Sequence, residues 1–271
     1  MDAKPNVGRG RSDSWRAFVL IAALGAGACN QRVNLGDIGD GPASLLWKAT
    51  FEPGNLSEWE GDGQGSNYWE NNDPAFKAAV TSSVAHGGSL AGVVGASPMG
   101  SMPSISYLTR NQPTPPQAYY SAWFYVPATL VLATGQYLSL VHFRGSDGQN
   151  VTPLLDVNLY PLTDGSVAAQ LYEYRTSADT QQFPTVTRFP LDRWVQLEVF
   201  VSQAVEKTGR VTVWQDGTQI LDRPGIQTVV LMGSLQWDVG AASDGLASGP
   251  VPVDLDDAAI SLARRGPDAT F

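Results

Sequence analysis

The fold is decided in residues 193–221, which read RWVQLEVFVSQAVEKTGRVTVWQDGTQIL. Apolar and polar side chains alternate through RWVQLEVFVS and again through RVTVWQ, and this alternation is the period of a strand that buries one face. Asp216 and Gly217 stand between two such runs, and the dipeptide Asp-Gly in that place favours a tight hairpin turn. This stretch therefore predicts antiparallel β-structure.

Similar runs recur on both sides of the hairpin. They are short, rich in Val, Tyr, Trp and Phe, and separated by Gly, Pro, Asn and Asp, a pattern typical of antiparallel sandwiches. We predict strands at residues 45–51, 118–126, 137–144, 154–160, 167–175, 193–202, 210–215, 218–221 and 253–262. The chain is therefore predicted to be all-β, with one antiparallel β-sandwich domain at residues 45–265 and a C-terminal tail at 266–271.

Composition limits the possible functions. The chain has 271 residues, of which 43% are hydrophobic and 16% charged, as expected for a globular protein. Its 26 acidic and 17 basic residues give a net charge of −9, which argues against a nucleic-acid partner because no basic footprint is available for phosphates. Two histidines and one cysteine exclude a zinc finger and an intrachain disulfide. We expect no organic cofactor and a monomer.

The first 28 residues have the pattern of a bacterial secretory signal. Four basic residues precede the apolar run AFVLIAALGAGA (17–28), which is too short to span a bilayer comfortably. The only cysteine, Cys29, follows directly, and the run AGAC resembles a lipoprotein signal-peptidase site. Cys29 is therefore predicted to become the lipidated first residue, with ordinary cleavage nearby as the alternative.

The mature chain would then begin with a tether. Residues 29–44 contain several turn formers and no apolar period, which predicts a flexible segment. Residues 1–28 carry four basic and two acidic side chains, so their removal changes the net charge from −9 to −11. We expect an exported protein of the cell envelope, either an outer-membrane lipoprotein or a periplasmic or extracellular protein, that meets the membrane only through its lipid anchor.

Six segments carry a resemblance to known proteins. They are FEPGNLSEW (51–59), VTSSVAHGGSLAG (80–92), AYYSAWFYVP (118–127), RWVQLEVFV (193–201), GRVTVWQDG (209–217) and VDLDDAAISL (253–262). In this order they resemble the concanavalin A-like lectin/glucanase superfamily, and within it the jelly-roll polysaccharide lyases related to heparin lyase I and glucuronan lyase. The resemblance implies a jelly-roll fold and a polysaccharide or cell-surface glycan as partner, but it leaves the activity open.

Alternation along the predicted strands gives several of them a polar and aromatic face. Such a face suits sugars, because aromatic rings stack on pyranose rings while amides and carboxylates bind hydroxyl groups. The alternative is an ordinary solvent-facing side of an antiparallel sheet. The candidate substrate-binding residues are Tyr119, Trp123, Tyr125, Asp156, Asn158, Tyr160, Gln170, Gln196 and Glu198.

The resemblance to lyases suggests roles in β-elimination from a uronic acid. That reaction needs a group that neutralises the carboxylate, a base and an acid. Arg144 is the candidate for neutralisation, His142 for the base, and Tyr172 or Tyr174 for the acid. This chain departs from alginate-lyase relatives because Leu140 stands where they carry Gln two residues before the histidine. Its net negative charge would also repel polyuronates unless the groove is locally basic.

Two other functions remain open at this stage. A glycoside hydrolase could use Asp156 and Glu198 as its carboxylate pair, although the Glu-x-Asp-x-x-Glu run of laminarinase-type relatives is absent. A non-catalytic structural or adhesion lipoprotein could instead display the loop at 57–73, whose aromatic residues Trp59, Tyr68 and Trp69 stand among acidic residues and could form the contact surface.

The two ends of the domain suggest a structural Ca²⁺ ion. Glu52 and the pair Asp256 and Asp257 match positions that hold calcium in many carbohydrate-binding sandwiches, and carboxylate oxygens suit this ion. The alternative is a charged strand edge that resists aggregation.

Overall fold

A computed structural model gives the structure of the protein. It describes residues 44–59, 68–70, 75–99, 103–146, 151–174, 181–246 and 249–270. The predicted signal, the lipidation residue Cys29 and residues 30–43 of the predicted tether lie outside these residues. Within them, no helix has the length and apolar character that crossing a membrane requires.

The described residues form fifteen strands. In chain order they are β1 (Leu45–Ala49), β2 (Tyr68–Glu70), β3 (Ala79–Thr81), β4 (Ala91–Ala96), β5 (Ser104–Arg110), β6 (Gln117–Tyr125), β7 (Leu138–Ser146), β8 (Val151–Pro161), β9 (Val167–Glu173), β10 (Gln181–Phe189), β11 (Trp194–Ser202), β12 (Gly209–Gln215), β13 (Thr218–Ile226), β14 (Gln236–Ser243) and β15 (Val251–Ser261).

These strands form two antiparallel sheets. The first sheet has eight strands in the order β13-β12-β11-β6-β15-β4-β3, with β1 also paired to β15. The second sheet has seven strands in the order β10-β9-β8-β7-β14-β5-β2. The prediction of an all-β antiparallel sandwich is confirmed, and each of the nine predicted strands corresponds to a strand of the structure.

One continuous apolar core lies between the sheets. The first sheet contributes inward side chains such as Phe124 and Leu197, and the second contributes side chains such as Phe143, Leu155 and Leu171, all almost fully buried. Because strand side chains alternate between faces, the residues between these positions point away from the core. Each sheet therefore has one outer face on which polar groups can gather.

The predicted hairpin turn is also confirmed. Asp216 and Gly217 join β12 to β13, and both have positive φ angles, 47° and 77°. A two-residue turn of this kind matches the right-handed twist of the flanking strands, and aspartate and glycine tolerate its backbone conformation.

The prediction that the loop at 57–73 displays its aromatic residues is wrong for Trp59. Trp59 has 0% of its surface exposed, and its ring lies 4.8 Å from that of Trp47 and 6.0 Å from that of Trp237. Edge and tilted contacts with these rings hold Trp59 inside the protein, so it cannot be a contact residue of an adhesion surface.

Candidate functional site

The outer face of the second sheet carries a row of polar side chains in register. His142 on β7 pairs with Asp156 on β8, which pairs in turn with Tyr172 on β9. Asp238 on β14 lies on the other side of His142. Neighbours of these residues along the strands, such as Phe143, Leu155 and Leu171, belong to the core, so the row faces outward, as the sequence predicted for His142, Asp156 and Tyr172.

His142, Asp156 and Tyr174 form a hydrogen-bonded cluster in this row. The two oxygens of the Asp156 carboxylate are shared between Nδ1 of His142 and the hydroxyl of Tyr174, which donates at 2.7 Å. Both Asp156 and His142 are buried, with 2% and 7% of their surfaces exposed. Binding of Nδ1 to Asp156 leaves Nε2 of His142 as the nitrogen that can take a proton from a ligand.

Burial and charge act in opposite directions on His142. Burial is the largest single effect and disfavours the charged imidazolium, but the charge and hydrogen bond of Asp156 and the charge of Asp238 together outweigh it, and the net effect raises the pKa of His142 above its ordinary value. Burial and the same carboxylate raise the pKa of Tyr174, so its phenol remains a hydrogen-bond donor. The arrangement resembles the orienting half of a catalytic triad, in which a carboxylate sets the histidine tautomer.

Arg144, the candidate for neutralising a uronate, is already paired. Its Nε lies 2.7 Å from Oδ2 of Asp238, and its Nη2 donates to Oδ1 at 3.0 Å. The Asp238 side chain is fully buried and that of Arg144 is 13% exposed. Much of the guanidinium charge is therefore balanced within the protein.

A groove of about 360 Å³ opens beside the cluster on the same face. Its walls combine amides and phenols, and no lysine, arginine or carboxylate among the described residues lines it. The predicted residues Asn158, Tyr160, Gln170 and Tyr172 are all in this wall, which is completed by Thr134, Gly135, Gln136, Tyr137, Pro161 and Gln182. The Tyr172 ring also contacts that of Tyr174 at 4.7 Å, so the groove adjoins the His142 cluster.

Two tyrosines of this region were not identified from the sequence. The Tyr107 ring on β5 stacks on His142 at 5.6 Å and nearly parallel to it. Tyr137 precedes β7, lines the groove and hydrogen-bonds Asp244, and burial is the main cause of its raised pKa. Tyr137 opens the predicted strand 137–144 and could have been noticed there, whereas Tyr107 lies in a strand that was not predicted.

The predicted residues on β6 and β11 are not part of this face. Tyr119, Trp123 and Tyr125 belong to the first sheet, as do Gln196 and Glu198. Tyr119 packs with Phe200 and Trp214 on that sheet's outer face, and Trp123 stacks under His86 at 3.7 Å between ring centres. These five residues therefore lie on the opposite side of the sandwich from His142.

Glu198 and Gln196 hold the C-terminal segment. Buried Glu198 accepts hydrogen bonds from Arg264 Nε at 3.2 Å and Arg265 N at 2.7 Å, and the Gln196 amide donates to Gly266 O. Burial is the main cause of the raised pKa of Glu198.

The proposed hydrolase pair of Asp156 and Glu198 is therefore wrong. The two side chains point outward from opposite sheets, which are themselves about 10 Å apart. Paired carboxylates of glycosidases lie at most about 9.5 Å apart, so these two cannot flank one glycosidic bond.

The carboxylates proposed for calcium surround one loop. A cavity of about 480 Å³ is lined by Glu52, Asp257, Gly87 and Gly88, and a Cβ atom on either glycine would collide with one of the two carboxylates. Asp256 differs, because its oxygens accept the N–H groups of His86, Gly87 and Asp257.

These residues fit a calcium ion only in part. Glu52 Oε1 accepts two backbone N–H groups, and Asp257 Oδ2 lies 2.7 Å from His86 Nδ1. One oxygen of each carboxylate remains for a cation, and backbone carbonyls would have to complete its shell. No group of three or more His, Cys, Asp or Glu residues in the described part of the chain is placed to hold a metal.

Comparison with known proteins shows which solved structures share this fold. No protein-family model and no curated protein matches the chain. Among solved structures, an endo-β-1,4-glucuronan lyase from the fungus Trichoderma reesei aligns with a TM-score of 0.64 at 15% identity, over 84% of this chain and 100% of the lyase. The cellulose-induced protein Cip1 aligns with a TM-score of 0.57 at 14% identity, over 82% and 99%.

A marine alginate lyase from Aplysia kurodai aligns with a TM-score of 0.55 at 12% identity, over 80% of this chain and 99% of the lyase. At these identities the likeness concerns the fold. The chain has the jelly-roll fold of these polysaccharide lyases, and the fold expectation drawn from the sequence resemblance is confirmed.

Proposed function

We propose that this protein binds a uronic-acid-containing polysaccharide on the outer face of the second sheet and cleaves it by β-elimination. The observation that carries the proposal is the His142–Asp156–Tyr174 cluster, because it places an oriented, buried imidazole in the same cross-strand row as Tyr172, which lines a groove of amides and phenols. The fold, shared with structures named as glucuronan and alginate lyases, supports the same reaction class.

His142 would act as the base through Nε2. It removes the proton at C5 of the uronate, and the C–H electron pair forms the C4=C5 double bond as the bond from C4 to the glycosidic oxygen breaks. The leaving oxygen keeps its electron pair and takes a proton from the Tyr172 hydroxyl. We assign the acid role to Tyr172 because it lines the groove, whereas the Tyr174 hydroxyl is engaged by Asp156.

Side-chain amides would hydrogen-bond the uronate carboxylate. Loss of the C5 proton is easier when hydrogen bonds stabilise the charge that spreads onto the carboxylate. Asn158 and Gln170 are directly paired across β8 and β9 and both line the groove, while Arg144 is paired with Asp238. We therefore assign neutralisation to Asn158 and Gln170, with Arg144 contributing at longer range.

Product mass tests the reaction class directly. The full mature chain is incubated with glucuronan, alginate or pectate, and oligosaccharides are analysed by mass spectrometry. A lyase releases a chain end lighter by one water than the end that a hydrolase releases. Unsaturated ends that are lost in Tyr172→Phe support the proposal. Saturated ends alone would show a hydrolase, and binding without cleavage would show a non-catalytic glycan-binding or adhesion protein.

We also propose that the chain is exported and anchored through Cys29. The support is the basic, apolar and small-residue pattern before the only cysteine. In a bacterial host, Cys29→Ser should move the protein from the membrane fraction to the soluble fraction. If the variant stays with the membrane, the lipid anchor is excluded.

Calcium is proposed as a structural ion held by Glu52 and Asp257. The support is the cavity that Gly87 and Gly88 leave between the two carboxylates. Calcium should raise the melting temperature of the wild type and leave that of Glu52→Gln unchanged. An equal response of both proteins would exclude this site.

A further inference from the structure

A second polar and aromatic surface lies on the outer face of the first sheet. Trp194 on β11, Tyr125 on β6 and Asp254 on β15 are consecutive cross-strand partners, so their side chains form one row over three adjacent strands. Val195, Phe124 and Val253 alternate with them and are buried in the core, which places the row on the outside. We call these three residues the Trp194 platform.

The platform is open where the rest of this face is covered. All three of its residues are partly exposed. One step further along the same strands, Gln196 and Trp123 are almost fully buried, beneath the C-terminal segment and the loop that carries His86. The open row therefore begins where the covering segments end.

The rings of the platform are held at a fixed angle. Trp194 and Tyr125 lie 5.8 Å apart at 64°, and the His86 ring meets Trp194 at 5.8 Å and 71°. His86 in turn stacks on buried Trp123 at 3.7 Å. Contacts on both sides thus restrict Trp194, so a ligand would meet a preorganised aromatic surface at little cost in side-chain entropy.

The polar groups of the platform are available to a ligand. Within the described residues, the Asp254 carboxylate, the Tyr125 hydroxyl and the Trp194 indole N–H make no hydrogen bond. The Asp254 carboxylate is half-buried, so it has lost part of its water without gaining a partner in the described part of the protein. A ligand hydroxyl group could supply that partner.

We propose that the Trp194 platform is a second polysaccharide-binding site, specific for neutral pyranose units. Exposed aromatic rings beside a hydrogen-bonding carboxylate suit a sugar that offers an apolar C–H face and hydroxyl edges. Charge selects the neutral sugar. Asp254 carries the only charge within the row, and neighbouring Arg193 is paired with Asp216 at 2.5 Å, so a uronate would meet uncompensated negative charge.

The site goes beyond the proposed function because it lies on the other sheet. Three strands at about 4.8 Å spacing span roughly 10 Å, enough for a short stretch of a glycan chain. Such a site could bind the protein to one polysaccharide while the His142 groove cleaves another.

Affinity electrophoresis of the full chain tests the platform. Native gels contain hydroxyethyl cellulose, arabinoxylan, mixed-linkage β-glucan or galactomannan, and a parallel gel contains alginate. We expect at least one neutral polymer to retard the wild type, and Trp194→Ala and Tyr125→Ala each to weaken that binding by about tenfold or more. Tyr125→Phe, which keeps the ring, is the matched control and should remain retarded.

Several results would overturn the proposal. The first is that no neutral polymer retards the wild type, and the second is that both ring variants are retarded as strongly as the wild type. The third is that the platform binds a basic peptide such as oligolysine and no neutral polysaccharide. Asp254→Ala provides a variant outside the core in case a ring variant fails to fold, and it too should lose retardation. Release of unsaturated uronides should be unchanged in Asp254→Ala, so failure of this site and failure of the His142 groove can be told apart.

Discussion

The carboxylate of Asp156 binds Nδ1 of His142 from the adjacent strand and accepts the Tyr174 hydroxyl with its other oxygen. It therefore fixes the imidazole tautomer and does not face the sugar as a simple hydrogen-bonding group. Asp156 is a positioning residue in this account, acting through His142.

Replacing Asp156 with Asn should strongly reduce the rate of catalysis and change its pH dependence. The amide keeps the shape of the carboxylate but no longer holds the Nδ1 proton, so kcat/KM on a uronate polymer should fall by about a hundredfold or more. Burial lowers the pKa of His142 and the Asp156 charge raises it. Without that charge the pKa falls, so the acid limb of the pH–rate profile should move to lower pH.

The profile is measured for Asp156→Asn and for Asp222→Asn, a control in an exposed ion pair on the first sheet. The control should match the wild type. An acid limb that stays in place in Asp156→Asn would show that this carboxylate does not set the protonation of the base.

The Arg144–Asp238 pair should matter to stability. Asp238 is fully buried, so Asp238→Ala removes the carboxylate that lies 2.7 Å from Arg144 Nε, and breaking a buried pair costs about 3–5 kcal/mol. The exposed pair Arg210–Asp222 provides the comparison, because surface pairs contribute about 1 kcal/mol or less. Urea unfolding of Asp238→Ala and Asp222→Ala measures both. Equal losses would mean that Asp238 does not act as a buried counter-ion.

The platform carboxylate should make stability fall as pH rises. Burial raises the pKa of Asp254 from 3.8 to about 6, so between these values the folded state holds a proton that the unfolded state has lost. The free energy of unfolding contributed by this group therefore decreases as pH rises through that window and stays reduced above it.

Asp254→Asn should consequently be more stable than the wild type near neutral pH and similar to it below about pH 4. Asp222→Asn should show the opposite sign, because hydrogen bonding to Arg210 lowers the pKa of Asp222. Urea unfolding of both variants and the wild type, near neutral pH and below about pH 4, measures these differences in stability. If Asp254→Asn is less stable than the wild type near neutral pH, the Asp254 carboxylate has a stabilising partner in the folded protein, which contradicts the platform proposal.

The sequence predicted strands well where alternation was strong and poorly where it was not. The strand β4 reads AGVVGA, β10 carries Pro184 at a sheet edge, and β14 ends in the small residues GAAS. Small residues and proline give little apolar period, and pairing with neighbouring strands determines such segments instead. These strands, together with β2, β3 and β5, were therefore absent from the prediction.

The site was predicted in part for a related reason. Alternation identified the faces of His142, Asp156 and Gln170, and the structure brings all three to one sheet. The same argument placed Trp123 beside them, and the structure puts it on the other sheet. A period of two tells which side chains of one strand share a face, but it cannot tell which sheet the strand will join.

The most direct test of the account compares the wild type with His142→Ala in an ultraviolet absorbance assay on glucuronan and alginate. The C4=C5 bond formed by β-elimination is conjugated with the uronate carboxylate and absorbs where the intact polymer does not. The account predicts a steady rise for the wild type and none for a folded His142→Ala protein. A rise of equal rate in both proteins, or none in either, would contradict the central claim.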